Sequence, residues 1–440
     1  MRVTARANEQ FRPTKIRGLT KLPRDWEVSP VKYVCTYNDE TLPETTNPEY
    51  EIAYVDIGGV SATEGITDVE EMLFGSAPSR ARRVVRHGDV IVSTVRTYLE
   101  AIAWIESPPD NLIVSTGFAV IRPSSDRAEP RYLGYCLRSR RFVDEVVSRS
   151  VGVSYPAINS SDLVRIPVPL PPLSEQRAIA SFLDHETARI DRLIAKQERL
   201  IELLKEKRQA VISHAVTKGL NPDAPMKDSG IEWLGEVPAH WSVGALKRIA
   251  TRVVVGVAEA ATHAYVDVGV PILRATNIRS GSIVGEILQL EPSYAAERVS
   301  KRIRAGDLVT VRTGNAGVTA RIPPELDGAQ CFTMLITTLS RQQNGTFFEY
   351  VLNSFAAKSY FTLEGWGTAQ VNISVPILQN LPVAVPPEKE QEKIVQFVKE
   401  KEEALECLEK QAHRAVALLK ERRAALITLA VTGAIEVGCT

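Results

Sequence analysis

The stretch LLKEKRQAVISHAVT occupies Leu203 to Thr217, and a nearly identical stretch, LLKERRAALITLAVT, occupies Leu418 to Thr432. The two copies are 215 residues apart (418 minus 203). This period is far longer than the repeating unit of a solenoid protein and matches the size of a whole domain. The sequence therefore predicts an internal duplication in which each copy has a core of its own.

The same spacing extends the repeat in both directions. PPLSEQRAIASFL from Pro171 aligns with PPEKEQEKIVQFV from Pro386, and KLPRDWEVSPVK from Lys21 aligns with EVPAHWSVGALK from Glu236. Between these anchors the two copies differ much more. The chain is thus two copies of one plan, each a variable body followed by a closely similar helical segment.

Composition favours a globular protein of two to four domains. The 440 residues are 44% hydrophobic and 24% charged, and they contain no apolar run long enough to span a bilayer. The first residues, MRVTARANEQ, lack the apolar core of a signal peptide. We therefore expect a cytoplasmic location and no membrane partner.

Charge and cysteine content exclude several classes of site. The 53 basic and 53 acidic side chains balance, which argues mildly against nucleic-acid binding but allows a local basic surface. The five cysteines are scattered without a C-x-x-C pair, so we expect neither a disulfide framework nor a zinc site. They are Cys35, Cys136, Cys331, Cys407 and Cys439.

A long helix is predicted in each copy. In the first, Pro171 and Pro172 precede Ser174, a good N-cap, and the helical pattern lasts to about Thr217. Heptad positions place an apolar seam along two lines of residues, one through Leu183 and one through Glu186. The apolar seam residues are Leu183, Ile190, Leu193, Leu200, Leu204 and Val211 in the first copy and Val398, Leu405, Leu408, Leu419 and Leu426 in the second.

This seam predicts that the two helices form an antiparallel coiled coil, which would carry the two bodies at opposite ends of a rod. The alternative is that each long helix packs only on its own body. The bodies, about residues 29–165 and 244–380, are predicted as mixed α and β. VIVSTVRTYLEAIAWI and DLVTVRTG have strand character, and Tyr132–Val147 and Phe347–Phe361 look like short amphipathic helices. The predicted fold class is therefore α/β (α+β), in two pseudo-symmetric copies.

Each body carries a basic cluster at an equivalent place. RARRVVRHGD from Arg80 aligns with RVSKRIRAGD from Arg298, and both precede a strand ending in Val-Arg-Thr. Such clusters beside polar loops suit phosphate contacts, and RATNIRSG from Arg274 offers side chains suited to base edges. The alternative is a solvated hairpin balanced by acids. The DNA-binding candidates are Arg80, Arg82, Arg83, Arg86, Arg96, Arg274, Asn277, Arg279, Lys301, Arg302, Arg304 and Arg312.

No catalytic pattern recurs in the two copies. There is no P-loop and no Gly-x-Ser-x-Gly elbow. NPEY at Asn47 is similar to a methyltransferase tetrapeptide, but Glu49 replaces a proline and we see no cofactor-binding glycine motif upstream. We therefore expect no catalytic, cofactor or metal residues in this chain.

The segment IPVPLPPLSEQRAIASFLDHETARIDRLIAKQERLIELLKEKRQAVISHAVTKGL, followed by DSGIEWLGEVPAHW, resembles the specificity subunits of type I restriction-modification systems. The similarity covers essentially the whole chain. It implies a first target-recognition domain at 1–170 and a first spacer helix at 171–220. A linker and second target-recognition domain would follow at 221–385, and a second helix with the C-terminal tail at 386–440.

The resemblance also implies a function. Each recognition domain would read one half of a bipartite, asymmetric site in double-stranded DNA, and the helices would set the spacing. Two methyltransferase subunits, which bind S-adenosylmethionine themselves, would dock on the conserved segments. Restriction subunits, which use ATP and magnesium, would join them.

Two departures weaken the second copy, since PPEKEQ lacks the serine cap and Ala412 replaces the equivalent Gln197 in the seam. Two other functions remain as alternatives. One is a duplicated coiled-coil scaffold that binds proteins, and the other is a self-sufficient methyltransferase, which the missing cofactor motif disfavours.

Overall fold

The computed structural model describes residues 3–6, 10–61, 64–258, 262–365 and 371–437. The chain divides into two compact units, Met1–Gln197 with Arg414–Thr440, and Glu198–His413. Each unit holds one sheet-rich body and part of both long helices. The sequence-based segments 1–170, 171–220, 221–385 and 386–440 follow the order of elements along the chain, whereas the units divide both helices.

The body of the first unit is built on two four-stranded sheets. One has the order β12-β11-β14-β5 and is antiparallel, and the other has the order β10-β13-β6-β9 with a parallel β13–β6 pair. Every residue of β11 is buried, as its continuous apolar pattern predicts. The strands are β1 Val3–Ala5, β2 Phe11–Ile16, β3 Leu19–Pro23, β4 Glu27–Pro30, β5 Cys35–Tyr37, β6 Glu51–Val55, β7 Val60–Ser61, β8 Gly65–Ile66, β9 Glu70–Leu73, β10 Ala81–Val84, β11 Val90–Ser93, β12 Ile102–Trp104, β13 Leu112–Ser115, β14 Phe118–Pro123 and β15 Pro167–Leu170.

The second unit repeats most of this topology. Its antiparallel sheet β26-β25-β28-β19 matches the first sheet strand for strand, and its other sheet, β27-β21-β24-β20, keeps the parallel pair. The strands are β16 Met226–Asp228, β17 Glu236–Pro238, β18 Ser242–Ala245, β19 Ala250–Val255, β20 Tyr265–Val266, β21 Val270–Leu273, β22 Ile278–Arg279, β23 Ser282–Ile283, β24 Leu288–Leu290, β25 Leu308–Thr310, β26 Thr319–Arg321, β27 Gln330–Cys331, β28 Leu335–Leu339 and β29 Pro382–Val385. The last strand of the chain, β30 Ile435–Val437, pairs with β1 in the first unit.

The short helices occur where they were predicted, but each is two helices. In the first unit α1 (Pro130–Arg138) and α2 (Arg140–Arg149) are separated by Ser139, and α3 (Ser160–Leu163) follows. The second unit has α5 (Pro292–Ala296), α6 (Gly345–Asn353), α7 (Phe355–Glu364) and α8 (Val375–Asn380), with Ser354 between α6 and α7. Ser139 and Ser354 have extended backbones and cap the helix that follows, which explains both breaks.

The long helices α4 (Leu173–Lys218) and α9 (Glu388–Val431) confirm the predicted helical segments. Their starts correct the capping prediction, because Ser174 lies inside the first turn of α4. The carbonyl of Pro172 accepts hydrogen bonds from the backbone N–H groups of Glu175 and Gln176. Pro387 does the same in α9, so a missing serine does not distinguish the second copy.

The two long helices run antiparallel within each unit. In the first unit Asp191 forms an ion pair with Arg423 (2.9 Å), and residues around Ile179 share a core with residues around Ile427. In the second unit Arg208 pairs with Glu409 (2.9 Å), and Ile212 shares a core with Ile394. At these contacts the residue numbers rise along α4 while they fall along α9, which confirms the predicted antiparallel arrangement.

The seam itself differs from the prediction in one of its two lines. Leu183, Ile190, Leu204, Val398 and Leu405 are buried as predicted, and Val211, Leu419 and Leu426 are half-buried. The second line is displaced by one residue. It contains Thr187, Ile194, Ile201, Arg208 and Ala215 in α4, and Glu402, Glu409, Val416, Arg423 and Ala430 in α9.

Leu193, Leu200 and Leu408, which we predicted in the seam, are exposed instead. The hydrophobicity pattern missed the second seam line because several of its residues are polar. Thr187 is buried because its hydroxyl donates to the carbonyl of Leu183 (2.7 Å), and Arg208 and Glu409 are paired with each other. The hydroxyl of the buried Thr187 is therefore satisfied within its own helix, and the half-buried Arg208 and Glu409 are paired across the two helices.

No helix among the described residues is long and apolar enough to cross a membrane. Three cysteines are buried, and burial raises the pKa of each of the thiols of Cys35, Cys136 and Cys331 to about 12. Cys407 is exposed, and Cys439 lies outside the described residues.

Candidate nucleic-acid interface

Both basic clusters end in the same tight turn. In the first unit the carboxylate of Asp89 accepts a hydrogen bond from the backbone N–H of Arg86 (2.8 Å), and Gly88 has φ +87°. In the second unit Asp307 accepts from the N–H of Arg304 (2.9 Å), and Gly306 has φ +88°. The Arg-x-Gly-Asp pattern is therefore a turn signature, with glycine supplying the left-handed backbone.

The clusters themselves lie on different structures. Residues 81–84 form strand β10 in the first unit, whereas Val299–Lys301 form a 3-10 turn in the second. Since a strand spreads its side chains along an extended line and a turn bunches them, the two units present their basic residues differently.

In the first unit part of the basic cluster is neutralised. Arg80 pairs with Asp56 (3.0 Å), and Arg86 pairs with Glu40 (2.8 Å), while both arginines remain more than half exposed. Exposed pairs of this kind are weak and open readily for another anion. Both arginines therefore remain available for phosphate contacts.

A half-buried network that the sequence did not predict holds this end of the sheet. Arg122 donates to both carboxylate oxygens of Asp89 (2.8 Å each) and to Glu40 (2.6 Å). The hydrogen bond from Arg122 is the main cause of a lowered Glu40 pKa, and the hydrogen bond to Asp89 raises the pKa of Arg122. In the second unit Thr338 occupies the equivalent position, and its hydroxyl donates to Asp307 (2.7 Å).

Three other arginines of the first cluster differ in exposure. Arg82 lies over the ring of Phe74 at 4.5 Å. Arg83 is half-buried, and desolvation lowers its pKa. Arg96 is exposed at the end of β11 and lies over the ring of Tyr155 at 5.2 Å. Arg96 thus offers its guanidinium group to solvent more openly than Arg82 or Arg83.

In the second unit the basic side chains differ in their partners. Lys301 donates to the carbonyl of Val255 (2.9 Å), and the buried Nε of Arg302 has no hydrogen-bond partner among the described residues. Arg304 is exposed, and Arg312 is half-buried with its Nε donating to Asn372 (3.0 Å). Arg304 is therefore the most open member of this cluster.

The structure gives Asn277 a role other than base contact. Its side chain is 2% exposed, its oxygen accepts from the N–H of Arg274, and its amide donates to the carbonyls of Val284 and Glu286, all at 2.9 Å. An amide committed to three internal hydrogen bonds fixes a turn and has nothing left for an adenine edge. We therefore withdraw Asn277 from the base-contacting set, whereas Arg279 is exposed.

One buried glutamine joins each body to its long helix. Gln176 accepts from the N–H of Glu129 (2.9 Å) and donates to the carbonyls of Arg127 (3.0 Å) and Pro171 (2.9 Å). Glu129 is the N-cap of α1, so the start of α1 is tied to the start of α4.

Gln391 repeats this junction in the second unit. It accepts from the N–H of Asn344, the N-cap of α6, and donates to Gln343 and Pro386. The sequence signal was the repeated Glu-Gln, which we used only to align the copies.

Each unit also exposes leucines on its long helices. Leu193, Leu418 and Leu429 are exposed in the first unit, and Leu200, Leu203 and Leu408 in the second, each by about two-fifths to a little over half of its surface. Leu193 matches Leu408, and Leu203 matches Leu418, at the repeat spacing of 215. Exposed leucines that recur at equivalent positions indicate a repeated interaction surface.

The NPEY segment forms an ordinary turn. The side-chain oxygen of Asn47 accepts from the N–H of Glu49 (3.0 Å), and the segment lines an open cavity of 710 Å³ with Glu51 and Asp110. Within the described residues no group of three or more His, Cys, Asp or Glu side chains is placed to hold a metal ion.

The two units share sheet topology, helix breaks, a Gly-Asp turn and a buried glutamine junction, yet they differ in the loops and basic residues at their surfaces. Such a chain is a duplicated recognition protein with a common frame and two different surfaces. Comparison with known proteins gives the family. Residues 23–203 match the family model described as the type I restriction modification DNA specificity domain. Residues 23–203 therefore belong to this domain family, and the chain as a whole is similar to the specificity subunits of type I restriction-modification systems.

The curated relatives are distant but span much of the chain. It is 27% identical to the MjaX specificity subunit assigned to Methanocaldococcus jannaschii over 53% of this chain, and 24% identical to the MjaVIII specificity subunit of that organism over 74%. It is 24% identical to the EcoKI specificity subunit of Escherichia coli K12 over 69%. The alignments span 54%, 75% and 65% of these relatives, so the first covers about half of its relative's length.

Solved structures agree with the fold. A chain described in work on complex assembly and conformational transition of the type I R-M system has a TM-score of 0.73 and 25% identity, covering 93% of this chain and 98% of its own length. The HsdS subunit from Thermoanaerobacter tengcongensis has a TM-score of 0.55 and 24% identity, covering 95% and 99%.

Proposed function

We propose that this chain is the DNA sequence-recognition subunit of a type I restriction-modification complex and is not itself an enzyme. It reads a bipartite, asymmetric target in double-stranded DNA, one half with each body. The observation that carries this proposal is the contrast between the two copies. Their helices and junctions repeat, as meeting two copies of one partner requires, and their surface loops differ, as meeting two different DNA sequences requires.

Contacts to the DNA backbone fall to the exposed basic residues. Arg80, Arg86 and Arg96 in the first unit and Arg279 and Arg304 in the second are exposed. Guanidinium groups bind phosphate oxygens without regard to sequence, so these residues position the duplex. The zero net charge of the chain is compatible with this role, because the partner subunits share the DNA contacts.

The partners we propose are two methyltransferase subunits and, in the restriction complex, restriction subunits. The exposed leucines of α4 and α9 support two docking sites, since Leu193 and Leu408 occupy equivalent positions in different units. An exposed leucine near the centre of an interface gains stability when a partner covers it. The two sites explain why the helices are more alike than the bodies.

The chain is proposed to bind no cofactor of its own. The methyltransferase subunits supply S-adenosylmethionine for adenine methylation, and the restriction subunits supply ATP and magnesium. The complex is proposed to work in the cytoplasm.

The alternative, a scaffold whose bodies bind proteins, separates from DNA recognition by salt dependence. The purified chain, alone and with its methyltransferase partner, is titrated with duplex DNA by fluorescence anisotropy at several salt concentrations. Neutralised phosphates release counterions, so the logarithm of affinity should fall linearly with the logarithm of salt concentration. Binding too weak to measure at low salt, in both preparations, would favour the scaffold.

A further inference from the structure

Two segments of the first unit form an exposed apolar tip, which we define as residues 96–99 and 151–155. Val153 is fully exposed, Val151 is 80% exposed and Tyr155 is 66% exposed. Tyr98 and Leu99 are also exposed. Clustered apolar side chains in water are unfavourable, so a cluster of this kind marks an interaction site.

The tip is held by a rigid frame. Val95 forms a β-bridge with Ala157, and the Thr97 hydroxyl lies 2.9 Å from that of Ser150. Arg96 and Glu100, on either side of the turn, both have φ +51°, a left-handed conformation rare for such residues. The surrounding hydrogen bonds hold this strained turn, which fixes where Tyr98 and Leu99 project.

A positive charge lies within the tip. The Arg96 guanidinium is 5.2 Å from the centre of the Tyr155 ring, and the arginine remains exposed. The tip therefore combines aromatic and aliphatic surface with one cation. This combination suits a nucleic acid, which offers flat bases beside phosphates.

The second unit keeps part of the frame. Arg312, the equivalent of Arg96, donates from Nε to Asn372, and the N–H of Ile373 donates to the Arg312 carbonyl (3.0 Å). In the first unit Ile158, which lies 215 residues before Ile373, donates to the carbonyl of Thr94 (2.8 Å). Ile158 and Ile373 are thus both bonded close to the end of the same strand of the sheet, but at positions two residues apart in the two copies.

The residues of the tip are not repeated. At the repeat spacing, Val-Gly-Val-Ser-Tyr from Val151 aligns with Trp-Gly-Thr-Ala-Gln from Trp366, and only glycine is common. Residues 366–370 lie outside the described residues, so this comparison is of sequence alone. A partner that meets both units would need the same tip twice, as the repeated leucines of the helices illustrate. Because the tip residues differ between the two units while the frame is shared, we expect the two tips to contact two different surfaces.

We propose that the tip contacts the bases of the first half-site, and that Val153 and Tyr155 do so by apolar and stacking contact, with Arg96 on the adjoining backbone. This inference rests on the proposed function and assigns the reading of one half-site to particular residues. The valine side chains have no hydrogen-bonding groups, so their contacts are with base faces or thymine methyl groups.

The test uses the full chain in complex with its methyltransferase partner. Tyr155→Ala and the double variant Val153→Ser/Tyr155→Ala are compared with wild type and with Val69→Ser, a control at an exposed valine outside the tip. Affinity is measured for duplexes carrying both half-sites, or the second half-site alone. We expect Tyr155→Ala to lose about tenfold affinity for the full site, the loss typical of one stacking contact.

A second measurement distinguishes a change in base recognition from a folding defect. Residues 151–155 are replaced by the sequence WGTAQ, which keeps Gly152, and methylated adenines are mapped in a host expressing the complex. A changed first half of the motif with an unchanged second half supports the inference. An unchanged motif, with unchanged affinity for Tyr155→Ala, overturns it. Loss of methyltransferase binding with the DNA preference intact also overturns it. If the wild-type complex yields no bipartite motif, the proposed function is wrong, and the inference that rests on it is wrong as well.

Discussion

The buried glutamine junction allows a sharp prediction. Gln176→Ala removes three hydrogen bonds of 2.9 to 3.0 Å, two to the segment at the start of α1 and one to the carbonyl of Pro171 just before α4. A buried hydrogen bond contributes about 1 kcal/mol net, so we expect a loss of about 3 kcal/mol in the stability of the first unit. For a unit of this size the loss corresponds to a fall of about 6 to 12 °C in its melting temperature.

The assay is hydrogen exchange with peptide resolution on the full chain, together with scanning calorimetry. Exchange should accelerate in peptides from α1 and not in those from α6, because Gln391 is intact. Gln391→Ala should give the reverse pattern. Gln411→Ala, at an exposed position of α9, is the matched control and should change stability by less than about 0.5 kcal/mol. A Gln176→Ala chain as stable as this control would show that the junction contributes little to the stability of the first unit.

Three further predictions concern other sites. Leu193→Asp and Leu408→Asp should each remove one of two bound methyltransferase subunits in sedimentation analysis, since each places a charge in an apolar contact; an unchanged two-to-one complex in both would contradict the docking surface. Burial raises the pKa of Glu349, so its ionisation should lower the stability of the second unit as pH rises through the folded-state pKa from below. Glu349→Gln should reduce that loss and have little effect well below the unfolded-state value of about 4.3, and identical pH profiles of denaturant midpoints would contradict this. Asn277→Ala should destabilise the second unit by about 2 to 3 kcal/mol in denaturant unfolding, whereas Arg279→Ala should alter DNA affinity without that loss; the opposite pattern would restore Asn277 as a base contact.

The architecture could be predicted from the sequence because both copies of the duplication contain the same helix signals. Two aligned copies of a Pro-Pro helix start and a heptad seam predict two antiparallel helices, and the structure contains them. The second seam line was displaced because Thr187 and Arg208 are polar, and hydrophobicity alone moved the line to Leu193 and Leu200. A half-buried ion pair or a backbone-bonded threonine cannot be recognised before its partner is known.

The candidate site was less predictable, because the partners of its polar side chains are set by the fold. Arginines can be found in a sequence, but their partners depend on tertiary contacts, as Arg86 and Glu40 show across 46 residues. Asn277 looked like a base reader until its three hydrogen bonds were visible. The exposed tip could not be predicted from the sequence, because the pattern around Val151, Val153 and Tyr155 is that of an ordinary strand or loop. Their exposure emerges only from the fold.

Whether this chain selects the methylated sequence can be read from a map of methylated adenines in the source genome, with and without this gene. We expect that deletion removes one bipartite motif and leaves other methylation unchanged, and that restoring the gene restores the motif. A map that is identical with and without the gene, in cells where the methyltransferase partner is present and active, would contradict the claim that this chain selects the methylated sequence.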